Sequence, residues 1–207
     1  ILMIIFHVQH ILKVREKIKN NENRSLIIAN KTKYPALFFI GYSAAGKTTL
    51  ALLVKEKLES LGKSCIHFDG NDMSEYQLLS KFNGFDMDSR LARAKQLVNL
   101  VQWSQNQGAI PIVSVIGQPA EAREYWRENV EDYIEIFLKC SLEVCMARDN
   151  KKVYTDPGGN VVGIDLNFDL PSDSDIVLDS LNNGPKELLN ILTERRLNSL
   201  FSRASID

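Results

Sequence analysis

The sequence predicts an α/β fold in which a mainly parallel five-stranded sheet carries helices on both faces. Short apolar runs alternate along most of the chain with segments that have the apolar spacing of a helix. Such alternation favours parallel strands joined by crossover helices, because runs this apolar suit strands that are buried on both faces. The 207 residues suffice to bury a core without disulfides. We expect one domain over residues 35–207, preceded by an extension over residues 1–34.

The extension opens with an apolar run, residues 1–6, that is too short to span a bilayer and has no basic residue before it. We therefore expect neither a signal peptide nor a membrane anchor. Residues 8–19 predict an amphipathic helix, and residues 25–34 predict a weak strand or linker. This segment could pack on the core or mediate a homodimer, and its residues leave both alternatives open.

The first strand, residues 36–40, leads into the stretch Gly41-Tyr42-Ser43-Ala44-Ala45-Gly46-Lys47-Thr48, which matches the pattern G-x-x-x-x-G-K-[ST]. The two glycines permit the turns that aim successive backbone N–H groups at one phosphate, and the following helix adds its positive end. In this pattern Lys47 would reach the β- and γ-phosphates, and the Thr48 hydroxyl would bind Mg²⁺. A strand before the stretch and a helix after it, to about residue 61, predict the three-layer α/β/α sandwich of P-loop NTPases.

A second strand, residues 64–68, ends on Asp69. The carboxyl ends of parallel strands face the crevice in which such sheets bind ligands. Asp69 could therefore hold Mg²⁺ or accept a proton from an attacking hydroxyl, or it could be a helix N-cap or turn aspartate. Asp72 is expected to cap a following helix.

Two groups of basic residues follow the second strand. A long helix, residues 88–107, carries Arg90, Arg93 and Lys95 near its start, and these cations predict either a solvated face or a clamp on an anionic substrate. A third strand, residues 109–115, ends in a loop that begins with Ile116 and Gly117. The helix over residues 121–128 then carries Arg123 and Arg127. We expect both groups to lie near the phosphate-loop end of the sheet.

The last part of the chain predicts a fourth strand over residues 133–138, a short helix over 142–147, a fifth strand over 175–179 and a closing helix over 184–198. Between them, residues 150–174 are rich in Asp, Pro, Gly and Asn. Such a stretch predicts a lid over the nucleotide, although an ordinary surface connection has the same composition.

Composition narrows the possible partners. A formal net charge of −1 indicates no general affinity for nucleic acid, so any basic site must be local. The three cysteines form no C-x-x-C pair, and we expect reduced, mostly buried thiols in a cytoplasmic protein. The chain also lacks the N-K-x-D motif of a GTPase after the loop. A small-molecule kinase fits better.

Several motifs resemble those of the adenylylsulfate kinases. The family's loop G-L-S-G-x-G-K-[ST] corresponds to residues 41–48, and its D-G-D to Asp69-Gly70-Asn71. Its remaining motifs correspond to Gly84-Phe85-Asp86-Met87-Asp88-Ser89-Arg90, to residues 114–123, to Leu142-Glu143-Val144-Cys145 with Arg148-Asp149, Lys151 and Val153-Tyr154, and to Gly163-Ile164-Asp165. The resemblance spans about residues 35–179. The run that ends at Tyr154 is the most telling, because a generic phosphate-loop protein has no reason to carry it.

The resemblance implies a cytoplasmic, magnesium-dependent kinase of sulfate assimilation that uses ATP to phosphorylate the ribose 3′-hydroxyl of adenylyl sulfate, a small anionic nucleotide. It implies Lys47 and Asp69 as catalytic residues and Thr48 and Asp69 as metal ligands. The ATP-binding set would be Gly41, Ser43, Ala44, Ala45, Gly46, Lys47, Thr48, Thr49 and Arg148, with Arg148 flanking the adenine. The acceptor-binding set would be Arg90, Ile116, Gly117, Lys151 and Phe168, the last two being lid residues, and Arg93 would add to it a cation that the family does not have.

The departures from the family concentrate at the acceptor. Ser74 and Arg93 stand where the family has Arg and Asn, and Gly117-Gln118 replaces Ser-Pro. The lid lacks the family's K-K-A-R and F-T-G runs. These differences leave two alternatives open: a paralogous kinase with another nucleotide-linked acceptor, for example in surface-polysaccharide or natural-product synthesis, and a non-catalytic nucleotide-binding module.

Overall fold

The computed structural model describes residues 34–75, 84–155, 159–194 and 197–201. Within them lies one five-stranded sheet in the order β2-β3-β1-β4-β5, and every pairing is parallel. The strands are β1 Ala36–Ile40, β2 Cys65–Asp69, β3 Ile110–Ser114, β4 Tyr133–Lys139 and β5 Ile176–Asp179. The parallel sheet confirms the predicted fold class. The predicted helix at residues 8–19 lies outside the described residues, so the role of the extension stays a prediction.

Helices cover both faces of this sheet. They are α1 Lys47–Ser60, α2 Gly70–Glu75, α3 Met87–Asn106, α4 Ala120–Asn129, α5 Leu142–Ala147, α6 Pro185–Glu194 and α7 Asn198–Phe201. Leu37 and Phe39 of β1 point into the apolar layer beneath α1, α6 and α7. Ala36, Phe38 and Ile40 point into the opposite layer, beneath α3 and α4. All five side chains of β1 are fully buried, as expected for the central strand of a three-layer sandwich.

The structure corrects two of the predicted helices. The helix after β2 begins at Gly70, directly behind Asp69, so Asp72 lies in its first turn instead of capping it. The closing helix predicted over residues 184–198 is shorter, and a second short helix follows it at Asn198–Phe201. Side-chain capping fixes the start of α3, which lies close to the predicted one. The Asp86 side chain accepts from the Ser89 backbone N–H at 2.9 Å at the N-terminus of this helix.

The predicted lid region joins α5 to β5. Of its described residues, Val162 and Leu166 form an isolated bridge, and Val161 and Asp165 close a turn around Gly163. None of the helices in the described ranges is long and apolar enough to cross a membrane. Because β1, β2 and β3 all end at the same edge of the sheet, the loops that follow them meet there.

Candidate active site

A cavity of about 590 Å³ opens at this edge of the sheet. Its walls combine the phosphate loop, the end of β2, the first turns of α3, the loop after β3 and the residues after α5. It brings together most of the residues that the sequence singles out, namely Ser43, Ala44, Gly46, Lys47, Thr48, Thr49, Asp69, Arg90, Arg93, Ile116, Gly117, Arg148 and Lys151. Ser43 and Lys151, which are 108 positions apart in sequence, therefore face one space.

Three predicted site residues lie outside this cavity wall. Gly41 forms the turn behind the loop with a φ of 142°, and a Cβ there would approach the Leu138 carbonyl oxygen to 2.8 Å. Ala45 is buried in the core. The Phe168 ring packs on Tyr42 of the phosphate loop, with ring centroids 4.4 Å apart, and also contacts Phe137. Phe168 thus lies behind the loop in this structure.

The loop backbone has the turns that a phosphate site needs. Gly46 has a φ of 94° and precedes α1, whose first N–H groups are left without intrahelical partners. Ala44 has a φ of 59°, a left-handed conformation that is uncommon for a residue with a Cβ. The loop motif quoted above for the adenylylsulfate kinases has glycine at this position.

Lys47 is the buried cation of the loop. Its side chain is 9% exposed, and its Nζ donates a 2.6 Å hydrogen bond to the Tyr42 carbonyl oxygen. Burial lowers the pKa of Lys47 to about 8, although the nearby Asp69 carboxylate acts in the opposite direction. The ammonium group is therefore charged at neutral pH, and among the described residues the Tyr42 carbonyl and the Asp69 carboxylate act to stabilise that charge.

Asp69, which is 4% exposed, is the acidic counterpart at the end of β2. Its Oδ2 accepts a 2.6 Å hydrogen bond from the Thr48 hydroxyl, and its Oδ1 accepts from the backbone and side-chain nitrogens of Asn71 at 2.9 and 3.1 Å. Burial by itself would raise the pKa of Asp69, but these hydrogen bonds and nearby His67 outweigh it and lower the pKa. The carboxylate is thus ionised beside the hydroxyl of Thr48.

Arg90 and Arg93 form the opposite wall on α3, and both guanidinium groups lie over the exposed Phe85 ring. Their guanidinium carbons lie 6.0 and 5.5 Å from that ring's centroid. Arg90 donates to the carbonyl oxygens of Phe85 and Asn160 at 2.7 and 3.1 Å, and Arg93 donates to the Gly84 carbonyl. Burial and the charge of Arg93 lower the pKa of Arg90 to about 10, so it stays charged at neutral pH.

The loop after β3 closes the cavity between these walls. Gly117 has a φ of 78°, and Arg123 Nη1 donates to its carbonyl oxygen at 2.7 Å. The next residue, Gln118, is 4% exposed and donates through Nε2 to the Asp169 carbonyl at 2.9 Å. Its amide oxygen is buried without a hydrogen-bond partner among the described residues. A buried, unsatisfied acceptor in a cavity wall is rare and marks a position where a donor can bind.

The residues after α5 form the third side. Arg148 lines the cavity while its Nη1 donates to the Ser180 carbonyl at 3.0 Å. The Asp149 carboxylate accepts from the Tyr154 backbone N–H at 2.7 Å, and the Tyr154 hydroxyl donates to the Ser43 carbonyl at 3.0 Å. These contacts join the start of the predicted lid to the phosphate loop.

The second basic group does not reach the cavity, and that prediction is wrong for Arg127. Its guanidinium lies 3.5 to 3.7 Å from the carboxylates of Glu135, Asp173 and Asp175. Arg123 is buried and supports the loop at Gly117. Both side chains bind partners within the fold.

Sequence reasoning gave no role to several cavity residues, among them Asn71, Phe85, Ser114, Gln118, Asp149 and Asn150. All of these except Asn150 lie within motifs quoted for the resemblance, which is a signal that could have found them. Ser114 ends β3 and contacts His67 Nε2 through its hydroxyl at 2.9 Å. The spacing of residues in the sequence does not predict the contact between His67 and Ser114, because that contact depends on the register between β2 and β3.

The family model for adenylylsulphate kinases matches residues 34–179. This match contains the phosphate loop, Asp69, both arginines and the residues after α5. It leaves out the extension and the two closing helices.

Curated relatives and a solved structure show the same similarity. A cytidine diphosphoramidate kinase from Campylobacter jejuni is 28% identical over 163 residues, which is 77% of this chain and 94% of the relative. An adenylyl-sulfate kinase from Oceanobacillus iheyensis is 30% identical over 76% of this chain and 81% of its own length. The Mycobacterium tuberculosis APS kinase solved with AMPPNP and APS has a TM-score of 0.72 at 25% identity, covering 78% of this chain and 96% of that one.

Proposed function

Since this chain belongs to the adenylylsulphate kinase family, and is therefore a nucleotide kinase with a hydroxyl group as acceptor, we propose that it transfers the γ-phosphoryl group of ATP to the ribose 3′-hydroxyl of adenylyl sulfate. The product would be 3′-phosphoadenylyl sulfate. One observation carries the proposal: a single cavity holds Lys47, Thr48 and Asp69 on one side and Arg90 and Arg93 on the other.

The donor half would work through the phosphate loop. Backbone N–H groups of the loop and the first turn of α1 would bind the phosphates, with Arg148 beside the adenine. Lys47 would give up its hydrogen bond to the Tyr42 carbonyl and bind the β- and γ-phosphates instead. A buried ammonium gains more from an anion than an exposed one does, because the surrounding dielectric is low. It would offset the charge that spreads over the transferring phosphoryl group.

The oxygens of Thr48 and Asp69 fit a magnesium ion. They are hard ligands already 2.6 Å apart, and Mg²⁺ in kinases commonly takes one or two protein oxygens and completes its shell with phosphates and water. Held by Thr48 and Asp69, the ion would supply positive charge that offsets the charge of the phosphates.

The acceptor half would use Asp69 together with the cations of α3. Asp69 would orient the acceptor hydroxyl and take its proton. Arg90 and Arg93 would bind the acceptor's anionic groups, with backbone contacts at Ile116 and Gly117. Lys151 would contact the acceptor as the lid closes. Phe168 would contact the acceptor only after its ring moved away from the Tyr42 ring.

A second candidate acceptor is cytidine diphosphoramidate, the substrate named for the Campylobacter jejuni relative. Gln118 favours it. The buried amide oxygen of this residue needs an N–H donor, which a phosphoramidate group carries and a sulfate group lacks. Gln118 is also one of the positions at which this chain departs from the family's acceptor loop.

The test is an ADP-release assay with ATP and a panel of acceptors: adenylyl sulfate, cytidine diphosphoramidate, and AMP and CMP as controls. The lead proposal predicts the highest kcat/KM with adenylyl sulfate. Preference for cytidine diphosphoramidate, together with its loss in Gln118→Leu, would establish the second candidate instead. If the protein binds ATP but none of the acceptors stimulates turnover, the chain is a non-catalytic nucleotide-binding module.

Three further features stay proposals. We propose a homodimer, for which light scattering of the full chain and of a form lacking residues 1–33 is the test. We also propose a cytoplasmic location and, if adenylyl sulfate is the acceptor, a role in sulfate assimilation. Loss of growth on sulfate as sole sulfur source in a deletion strain would support that role.

A further inference from the structure

Tyr154 connects the segment after α5 to the phosphate loop. Its side chain is 7% exposed, and its hydroxyl donates a 3.0 Å hydrogen bond to the carbonyl oxygen of Ser43. Burial raises the pKa of Tyr154, and the nearby Cys145 and Asp149 raise it further. The hydroxyl therefore keeps its proton and stays a donor.

The carbonyl that receives this bond belongs to the peptide unit between Ser43 and Ala44. In a planar trans peptide the C=O and the following N–H point in opposite directions. Ser43 and Ala44 line the cavity, whereas Tyr154 is not part of its wall. Holding the carbonyl on the Tyr154 side therefore turns the Ala44 N–H toward the cavity, where the loop's amides must converge to bind an anion.

The hydrogen bond from Tyr154 to the Ser43 carbonyl matters because the next residue, Ala44, has an unfavourable backbone conformation. Its φ of 59° lies in the left-handed region, which a Cβ disfavours and which glycine adopts freely. The adenylylsulfate kinase motif has glycine here. This chain keeps the turn with alanine, so an outside contact must oppose the tendency of the peptide to leave it.

The anchor itself is fixed by contacts away from the cavity. The Tyr154 backbone N–H donates to Asp149 at 2.7 Å, and its ring packs in the core layer beneath α1. Tyr42, the neighbour of Ser43, is held as well, because its carbonyl accepts from Lys47 and its ring contacts Phe168. The Ser43–Ala44 peptide is thus held between restrained neighbours.

We propose that Tyr154 is a positioning residue of the donor site, which orients the Ser43–Ala44 peptide so that the Ala44 N–H binds a phosphate of ATP. This inference rests on the proposed ATP-dependent function. It gives a physical role to the last residue of the run that begins at Leu142.

The experiment compares Tyr154→Phe with the wild-type full chain in binding a non-hydrolysable ATP analogue and adenosine, the latter by competition. Loss of one hydrogen bond that orients a phosphate-binding amide should weaken analogue binding about tenfold. Adenosine has no phosphate, so its affinity should change less than about twofold. A merely structural loss would weaken both ligands alike.

Tyr133→Phe is the matched control. It removes the hydroxyl of a half-buried tyrosine that donates to Glu135 at 2.6 Å, outside the cavity wall, so both affinities should match wild type. A second comparison uses Ala44→Gly as the background. Glycine takes the left-handed turn without strain, so adding Tyr154→Phe there should cost less than about threefold in analogue affinity.

Analogue affinity at the wild-type level in Tyr154→Phe would overturn the inference, and so would equal losses for the analogue and adenosine. An undiminished loss in the Ala44→Gly background would overturn the part assigned to the left-handed turn. Failure of the wild-type protein itself to bind the analogue would overturn the proposed function, and the inference with it.

Discussion

At the scale of single residues, the cavity holds an ammonium and a carboxylate whose surroundings shift them in useful directions. Lys47 is buried with a lowered pKa, and its Nζ donates to a backbone carbonyl, a bond it can give up to attract a phosphate. Asp69 stays ionised because its hydrogen bonds from Thr48 and Asn71 outweigh its burial. Each group is therefore in the charge state that phosphoryl transfer needs near neutral pH.

The lowered pKa of Lys47 predicts a pH dependence of ATP capture. In the free protein its pKa is about 8, so Lys47 is charged below this pH and loses its charge as the pH rises through it. The kcat/KM for ATP should fall above pH 8, approaching about tenfold per unit. Bound phosphates raise the pKa again, so kcat should hold to higher pH. Steady-state profiles between about pH 6.5 and 9.5 test this, and a flat kcat/KM profile would contradict it.

Asp69→Asn should retain ATP binding and lose turnover. The amide keeps the size of the side chain but cannot accept a proton, and losses of about 100-fold or more in kcat are typical of a missing general base. Asp72→Asn is the control, because Asp72 is exposed on α2. A kcat for Asp69→Asn within a few-fold of wild type would remove Asp69 from the proposed chemistry.

Sequence reasoning finds residues whose role follows from local spacing. Lys47 and Thr48 are fixed by the loop that follows β1, and Asp69 by its place at the end of β2. Gln118 and Tyr154 lie in stretches quoted for the resemblance, but the sequence assigned neither of them a role. Their roles depend on contacts with Asp169 and Ser43, which are 51 and 111 positions away.

At the scale of elements, α3 carries two cations near its N-terminus, where the helix dipole makes positive charge unfavourable. Arg90 lies in its first turn, close to the positive end of the helix dipole, and Arg93 lies one turn further. Their mutual repulsion contributes to the lowered pKa of Arg90. An anion between them would relieve that repulsion, which supports the proposal that this helix binds the acceptor.

Arg93→Ala should weaken the acceptor and spare ATP. Loss of a charge-assisted hydrogen bond to an anionic group predicts a rise of roughly tenfold or more in the KM of the acceptor. Lys95→Ala is the matched control on the same helix, because Lys95 is exposed and lies over the Tyr125 ring, outside the cavity wall. Equal effects of the two substitutions on the KM of the acceptor would show that α3 contributes to acceptor binding only through its overall positive charge, and not through a contact of Arg93.

Element positions were predictable where apolar runs and caps are strong. The five strands lie within a residue or two of the predicted ones, because parallel strands buried on both faces leave continuous apolar runs. The start of α2 was missed. This short helix begins on Gly70, a poor helix former, directly behind Asp69, so its position depends on the hydrogen bonds of Asp69 to Asn71 and not on local preference.

At the scale of the whole molecule, a polar cluster ties the end of the predicted lid to the sheet, away from the cavity. Glu135 of β4 is completely buried, and it accepts from Tyr133 at 2.6 Å and from Ser174 at 2.7 Å. Arg127 of α4 supplies the compensating charge at 3.5 Å. The cluster thereby fixes the chain where it enters β5.

Arg127→Met should destabilise the fold with little effect on nucleotide affinity. The buried Glu135 carboxylate would lose its cationic partner while keeping two hydrogen bonds, so we expect a loss of about 2–4 kcal/mol in the free energy of unfolding. Asp173→Asn removes an exposed partner of the same arginine and should change that free energy by less than about 1 kcal/mol. Urea unfolding measures both, and equal small effects would contradict the assigned role of Arg127.

We propose that one cavity transfers a phosphoryl group from ATP to a hydroxyl of a nucleotide conjugate. The most direct test incubates γ-labelled ATP with adenylyl sulfate or cytidine diphosphoramidate and locates the label by ³¹P spectroscopy. The wild-type protein should place the label on a ribose hydroxyl of one conjugate, and Asp69→Asn should not. Label that stays on ATP, or is released only as free phosphate with both conjugates, would contradict the account.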